Sequence, residues 1–218
     1  MNRLFFLLKR LIAPAYCVQC QKFLSDNQFI CQSCISEIIP VVTRTLHITK
    51  KHAVSVYAVG LYQDPLRALI LVKQRRDPLA SVFLGRLVWE KTDLRTVDFD
   101  IIVPVPLHWT RYAWRWFNQA DCMAQEISRA SGKPVVRLLQ RIKKTDYQAK
   151  LSADKRILNV KDAFVLSLDA MSYKGKTILL VDDVATTGAT LNVCFKTLIA
   201  LNPTGLIGAV GARPTLFR

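Results

Sequence analysis

The sequence predicts an α/β fold: a parallel sheet with helices on both faces, preceded by a small module built on four cysteines. Three observations predict it. Apolar strand runs alternate with helical patterns from about residue 53 onward, and such alternation implies βα units. One buried strand, residues 176–181, runs directly into a turn and a helix. Four of the six cysteines fall in one window near the start, as two Cys-x-x-Cys pairs. These patterns divide the chain into residues 1–50, holding an N-terminal helix and the cysteine module, and residues 51–218, holding the α/β domain.

The elements follow in chain order. Leu4, Leu7, Leu8, Leu11 and Ile12 recur at helical spacing before Pro14, with Arg3, Lys9 and Arg10 on a basic shoulder. This short amphipathic helix is expected to pack on the cysteine module, with peripheral contact to a membrane surface as the other use of such a face. Cys17-Val-Gln-Cys20 and Cys31-Gln-Ser-Cys34 come next, ten residues apart. Each pair sets two thiolates on one face of a tight turn, and two such knuckles complete a tetrahedral site, so structural zinc is predicted at Cys17, Cys20, Cys31 and Cys34. Two disulfides are the alternative, which a cytosolic chain disfavours. With four thiolate ligands no position stays open for water, and catalysis at this metal is not expected. Cys122 and Cys194 stand in apolar helical patterns and read as small core residues.

In the larger part, residues 53–60 have strand composition. Asp64-Pro65 supplies an N-cap and first-turn proline for a helix reaching about residue 74. A second helix covers residues 78–91. Residues 99–105 form a β-rich run that ends in Pro-Val-Pro. Residues 118–130 carry apolar positions at helical spacing and stop at Ser131-Gly132. Residues 135–139 read as a short strand. After the 176–181 strand, a helix extends to about residue 201, and residues 205–211 form a last apolar strand.

Composition narrows the class. Of 218 residues, 31 are Lys or Arg and 16 are Asp or Glu, a formal net charge of +15, while 51% are hydrophobic. That apolar content can repay the entropy of ordering and excludes intrinsic disorder. The longest apolar candidate for a span, residues 4–12, is broken by Lys9 and Arg10, and no signal-peptide cleavage site follows it, so no transmembrane segment is predicted and the expected location is the cytoplasm. The surplus of cations favours a polyanionic partner. More than half of it, a net +8, lies in residues 101–161, where three of the four tryptophans also fall.

The sharpest motif is Thr177-Ile-Leu-Leu-Val-Asp-Asp-Val-Ala-Thr-Thr-Gly-Ala-Thr-Leu191. A buried strand delivers Asp182 and Asp183 to the carboxyl edge of the sheet, where open α/β sheets bind ligands. The small and hydroxylic residues Ala185, Thr186, Thr187, Gly188, Ala189 and Thr190 then open a helix whose first N–H groups can cradle an anion. Carboxylates suit vicinal ribose hydroxyls and the amide cradle suits a phosphate, so one site is built to read a sugar and its phosphate together. There is no Gly-Lys-Thr, which excludes a Walker A loop.

This run resembles the phosphoribosyl pyrophosphate (PRPP) motif of type I phosphoribosyltransferases. The resemblance implies that Asp182 and Asp183 bind the ribose hydroxyls, that residues 186–190 bind the 5′-phosphate, and that Mg²⁺ arrives with PRPP. It also implies a pyrophosphate-binding loop at Pro104, Val105 and Pro106. In the 6-oxopurine enzymes an acid stands two residues before the motif's glycine, and here that position is Thr186.

Two further blocks narrow the resemblance: the run Arg111 to Ala120, and the later Arg141, Thr145, Gln148, Leu151, Arg156, Asn159 and Phe164. Together with the cysteine pairs in front, the chain resembles the ComF family over roughly residues 10–215. That family places a zinc finger before a phosphoribosyltransferase-like domain. Where the family commonly has Arg-Gly-Phe-Asn-Gln, this chain has Arg115-Trp116-Phe-Asn-Gln119, and a tryptophan cannot adopt backbone angles reserved for glycine. Arg111, Arg115 and Trp116 have two readings. They serve either pyrophosphate, under an aromatic hood, or a single-stranded DNA backbone with its bases stacked on exposed rings. The family resemblance implies a competence function in natural transformation, with single-stranded DNA and proteins of the DNA-uptake machinery as partners. The alternatives are a nucleobase phosphoribosyltransferase of salvage and a PRPP-sensing regulator without turnover.

Overall fold

A computed structural model describes residues 16–24, 28–73, 78–107, 117–143 and 163–214. The N-terminal helical pattern, Arg111, Arg115, Trp116, Thr145, Gln148, Leu151, Arg156 and Asn159 lie outside the described residues.

The strands are β1 (Arg44–Thr49), β2 (His52–Leu61), β3 (Ile101–Pro104), β4 (Leu139–Arg141), β5 (Phe164–Leu166), β6 (Thr177–Val184) and β7 (Gly205–Arg213). The helices are α1 (Gln32–Ser36), α2 (Leu66–Lys73), α3 (Pro78–Lys91), α4 (Gln119–Ser131) and α5 (Ala189–Leu198). Five strands form one sheet in the order β1-β2-β7-β6-β3. β2, β7, β6 and β3 run parallel, and β1 adds an antiparallel edge to β2. β4 and β5 form a separate antiparallel pair.

The parallel strands owe their place to near-continuous apolar runs, the pattern expected where both faces are covered. Ile178, Leu179, Leu180 and Val181 of β6 are all fully buried. On one face Leu179, Val181, Ile207 and Ala209 pack with α2, α3 and α4. On the other, Ile178, Leu180 and Val210 pack with Leu191, Cys194, Phe195 and Leu198 of α5. α3 and α4 cross at Gly85, where a Cβ would stand 2.8 Å from the Cα of Met123. Any larger residue there must push the two helices apart. The buried Glu126 of α4 is held by Arg129 at 2.7 Å and by Arg86 of α3 at 3.4 Å. Hydrogen bonding from Arg129 keeps its carboxyl below the ordinary carboxylate range, against the opposing pull of burial.

The cysteine module is part of the same core. Cys17, Leu24, Ile30, Cys34 and Ile35 are buried together with Val59, Leu66 and Leu84, and the Phe29 and Phe83 rings lie 6.1 Å apart.

Several expected boundaries move. α3 occupies residues 78–91 as expected, and Gly132 stops α4 in the left-handed conformation (φ 75°). α2 begins at Leu66, one residue beyond the expected first-turn proline. Residues 135–139 are not a strand. Val135 makes one parallel bridge to Ile102, and β4 starts at Leu139, paired with β5. The sheet also takes up residues 44–49, which the sequence reading grouped with the cysteines. Only Leu46 and Ile48 of those six residues are apolar, too few to signal a strand.

Candidate functional site

At the amino end, the two knuckles make their own shape. Cys17 N–H donates to Lys22 O (2.8 Å) and Gln21 N–H to Cys17 O (3.0 Å), with Gln21 at φ 61° closing the turn. The backbone of Cys31 donates to the Cys17 sulfur at 3.4 Å, and the Cys20 and Cys31 sulfurs lie 3.6 Å apart. All four Sγ atoms lie within 4.8 Å of one another. Sulfurs bound at about 2.3 Å around a tetrahedral zinc sit just under 4 Å apart, so the four thiols fit such an ion. The Ser33 hydroxyl and the Cys34 N–H lower the Cys31 thiol to about 6, while burial pushes the Cys34 thiol up. Burial raises Cys17 too, but the backbone N–H groups of Cys20, Cys31 and Gln19 outweigh it and the net shift is downward.

The second site lies at the carboxyl edge of the sheet. β6 is longer than its apolar run and carries Asp182 and Asp183 inside the strand. Both acids are half-buried. Each takes the next amide in the chain: Asp182 Oδ1 accepts from Asp183 N–H (2.8 Å), and Asp183 Oδ1 from Val184 N–H (2.6 Å). Ala185 N–H then donates to Ala212 O of β7 (3.0 Å) and fixes where the loop leaves the sheet. Gly188, at φ 72°, turns the chain into α5. Only glycine adopts that angle without strain, which explains its place after the two threonines. Thr187 Oγ1 accepts from Ala189 N–H at 3.4 Å, and the first helical bond is Asn192 N–H to Gly188 O (2.8 Å). The amino end of α5, which faces this turn, carries the positive end of the helix dipole. Asp182 and residues 184–191 line a shallow hollow that is open to solvent. Cys194 is fully buried behind it, and its thiol is raised first by burial and then by the Asp182 charge, so it has no nucleophilic character.

The loop after β3 lies beside the first because the two strands are parallel neighbours, with Pro104 opposite Val181. Pro104 and Val105 are buried and Pro106 is half-buried. Val105 N–H donates to Val181 O (2.9 Å). Its carbonyl accepts from Asn118 Nδ2 (3.0 Å), while Asn118 Oδ1 accepts from Ala120 N–H (3.2 Å) and caps α4. One side chain thus caps a helix and holds a loop. The sequence marks Asn118 as a helix start but carries no signal for the contact to Val105, which is 13 residues away. Gln119 is 2% exposed, and its Nε2 has no hydrogen-bond partner among the described residues. At the end of β7, Arg213 is 6% exposed and donates to the main-chain carbonyls of Val42 and Pro214, a buried arginine that sequence reasoning did not single out.

The mostly parallel sheet with helices on both faces, and the acid pair and glycine turn that lead from β6 into α5, are those of the type I phosphoribosyltransferase fold. The Phosphoribosyl transferase domain family matches residues 120–212. The chain is 32% identical over 191 residues to "Competence protein F" of Haemophilus influenzae, covering 84% of this chain and 83% of that protein. It is 38% identical over 141 residues to "DNA utilization protein YhgH" of Escherichia coli K12, covering 61% of this chain and 60% of that protein. Over 99 residues it is 33% identical to "Competence protein ComFC" of Bacillus subtilis, covering 45% and 38% of the two chains. The chain belongs to the ComF family.

Proposed function

We propose that this protein serves DNA uptake in the cytoplasm, binding PRPP with Mg²⁺ at the carboxyl edge of its sheet and single-stranded DNA through its basic surface. The observation that carries the PRPP part is one hollow lined by Asp182 and by the left-handed glycine turn into α5, with Asp183 the next residue of β6. In this reading the two carboxylates accept from the ribose 2′- and 3′-hydroxyls, and the amides and hydroxyls of residues 186–190 take the 5′-phosphate. The loop at Pro104, Val105 and Pro106 faces the pyrophosphate. Mg²⁺, when bound with PRPP, supplies neutralisation of the pyrophosphate charge. The DNA part is supported by the +15 charge and by relatives named for competence and DNA utilization. Zinc at the four cysteines is structural in this reading, bracing the module against α3 and β2.

The alternatives are a PRPP sensor without turnover and a nucleobase phosphoribosyltransferase, and Thr186, which puts no acid where 6-oxopurine enzymes carry one, counts against a purine acceptor specifically. A nucleobase acceptor would require a base-dependent release of pyrophosphate. The deciding experiment is a calorimetric titration of PRPP with Mg²⁺, repeated in the presence of a single-stranded oligonucleotide. The expected outcome is PRPP binding that the oligonucleotide alters. Failure of PRPP to bind with Mg²⁺ present would remove the reading.

A further inference from the structure

The β1–β2 hairpin differs from the rest of the sheet in having an open face. Leu46, Ile48, Val54, Val56 and Ala58 point to the α5 side and pack in that core. The alternate residues Thr45, His47, Ala53, Ser55 and Tyr57 lie on the other face. Thr45, His47 and Ala53 are exposed, and Ser55 and Tyr57 are half-buried. Thr45 pairs across with Ser55 and His47 with Ala53, which makes a flat surface of small and polar side chains. That surface runs into a groove of about 330 Å³ formed by residues 40–43, Tyr57–Val59 and the end of α3 at residues 91–93. Pro40, Val41, Val42 and Val59 give the groove an apolar part beside the polar Thr43, Thr92 and Asp93, and the half-buried Tyr57 and the exposed Lys91 also line it.

The charge around this face is one-sided. No Asp or Glu occurs from residue 38 to residue 63, while Arg44, Lys50 and Lys51 all lie there and all are exposed. Asp93 is the single acid lining the groove. From Lys51 to Val59 is about 26 Å at ~3.3 Å per strand residue, long enough for several nucleotides. Tracts of this composition, a cationic track beside an aromatic ring in a partly apolar hollow, suit single strands, whose unstacked bases go to the ring and whose phosphates go to the cations.

We propose that the open β1–β2 face and its groove bind single-stranded DNA, with one base beside Tyr57 and the phosphates along Lys50, Lys51 and Lys91. This inference rests on DNA being the partner, and it assigns a contact on a different element from Arg111 and Arg115. The test is fluorescence anisotropy of a dye-labelled oligo-dT over a salt series. It compares the intact protein with Lys50→Glu/Lys51→Glu/Lys91→Glu and, separately, Arg111→Ala/Arg115→Ala, each first checked for an unchanged melting temperature. The charge-reversal variant should bind at least about ten-fold more weakly, and its salt slope should fall by about two, at ~0.7 per lost phosphate contact. An iodouracil-substituted oligonucleotide should crosslink to Tyr57 in the intact protein. If the intact protein binds DNA, and charge reversal changes neither affinity nor slope while Arg111→Ala/Arg115→Ala does, this inference falls and the DNA reading stands. If the intact protein ignores the oligonucleotide, both fall. Charge reversal that abolishes binding to phosphatidylglycerol vesicles and leaves DNA affinity untouched would reassign the face to an anionic membrane.

Discussion

The loops after β6 and β3 lie side by side at the same sheet edge, yet they are shaped in opposite ways. The loop after β6 is shaped almost entirely by its own residues: each aspartate binds the next amide, Thr187 caps Ala189, and Gly188 takes the one backbone angle that lets α5 begin. In the described part of the loop after β3, the holding contacts come from elsewhere in the chain. Val105 is held from outside, through its N–H by β6 and through its carbonyl by Asn118 at the head of α4. The first cysteine knuckle is like the loop after β6 in closing its own turn, through Cys17 N–H to Lys22 O and Gln21 N–H to Cys17 O. A self-shaped loop leaves a motif in the sequence, whereas a loop shaped by distant residues leaves none.

Four substitutions or reactions test this contrast. Asp182→Asn/Asp183→Asn should have the largest effect, a loss of PRPP affinity of at least about 100-fold by calorimetry, since each lost charged hydrogen bond contributes about 1.5–3 kcal/mol. Retained affinity would mean that the acids serve the strand end and not the ligand. Gly188→Val forces a β-branched residue to φ near 70° at a cost of about 1–2 kcal/mol, and should lower the melting temperature by about 2–8 °C. The same change should cost ribose 5-phosphate affinity, because the turn and the amide cradle are one structure. Asn118→Ser keeps a good helix cap but removes the donor to Val105. Pyrophosphate affinity should fall about five- to ten-fold while ribose 5-phosphate affinity and the melting temperature stay put. Equal losses for both ligands would show that the two loops are not shaped independently.

The smallest effect concerns the knuckles. In metal-free protein the Cys31 thiol, lowered to about 6, is mostly thiolate at pH 7, whereas Cys34 and Cys194 are raised by burial. Iodoacetamide at pH 7 should therefore modify Cys31 before those two, with a half-maximal rate near pH 6, read by peptide mass mapping. The sign for stability follows: a thiol whose folded value is depressed adds stability above its unfolded value, and that contribution is lost as pH falls through about 6. Cys34 alkylated as fast as Cys31 would contradict the described geometry of the module.

Much of the fold was legible where local pattern and tertiary role agree. α3 fills its expected range, α4 starts at its Asn118 cap and ends at Gly132, and β6 and β7 follow their apolar runs. The misreadings have a common physical cause. β1 was overlooked because an edge strand covered on one side needs only two inward residues, Leu46 and Ile48, and its polar outer face looks like loop. Residues 135–139 look like a strand by composition, but Ile102 offers Val135 only a single bridge, and pairing moves on to β4 and β5. The candidate site was half legible for the reason the two loops differ: Asp182 to Thr190 announce themselves, while Asn118, Gln119 and Arg213 act through contacts with residues distant in the chain.

By itself, the sequence determined the α/β class, the four converging thiols and the turn that ends β6, because each shows as a local pattern: alternating strand and helix runs, two Cys-x-x-Cys pairs, and one strand–turn–helix motif. Tertiary structure alone decided that the cysteine module shares the core of the sheet, that the loops after β3 and β6 meet at one edge, and that one face of the β1–β2 hairpin stays open. Those outcomes depend on which strands pair and which faces helices cover, and such long-range choices are settled by packing across the molecule and not by any one stretch of it.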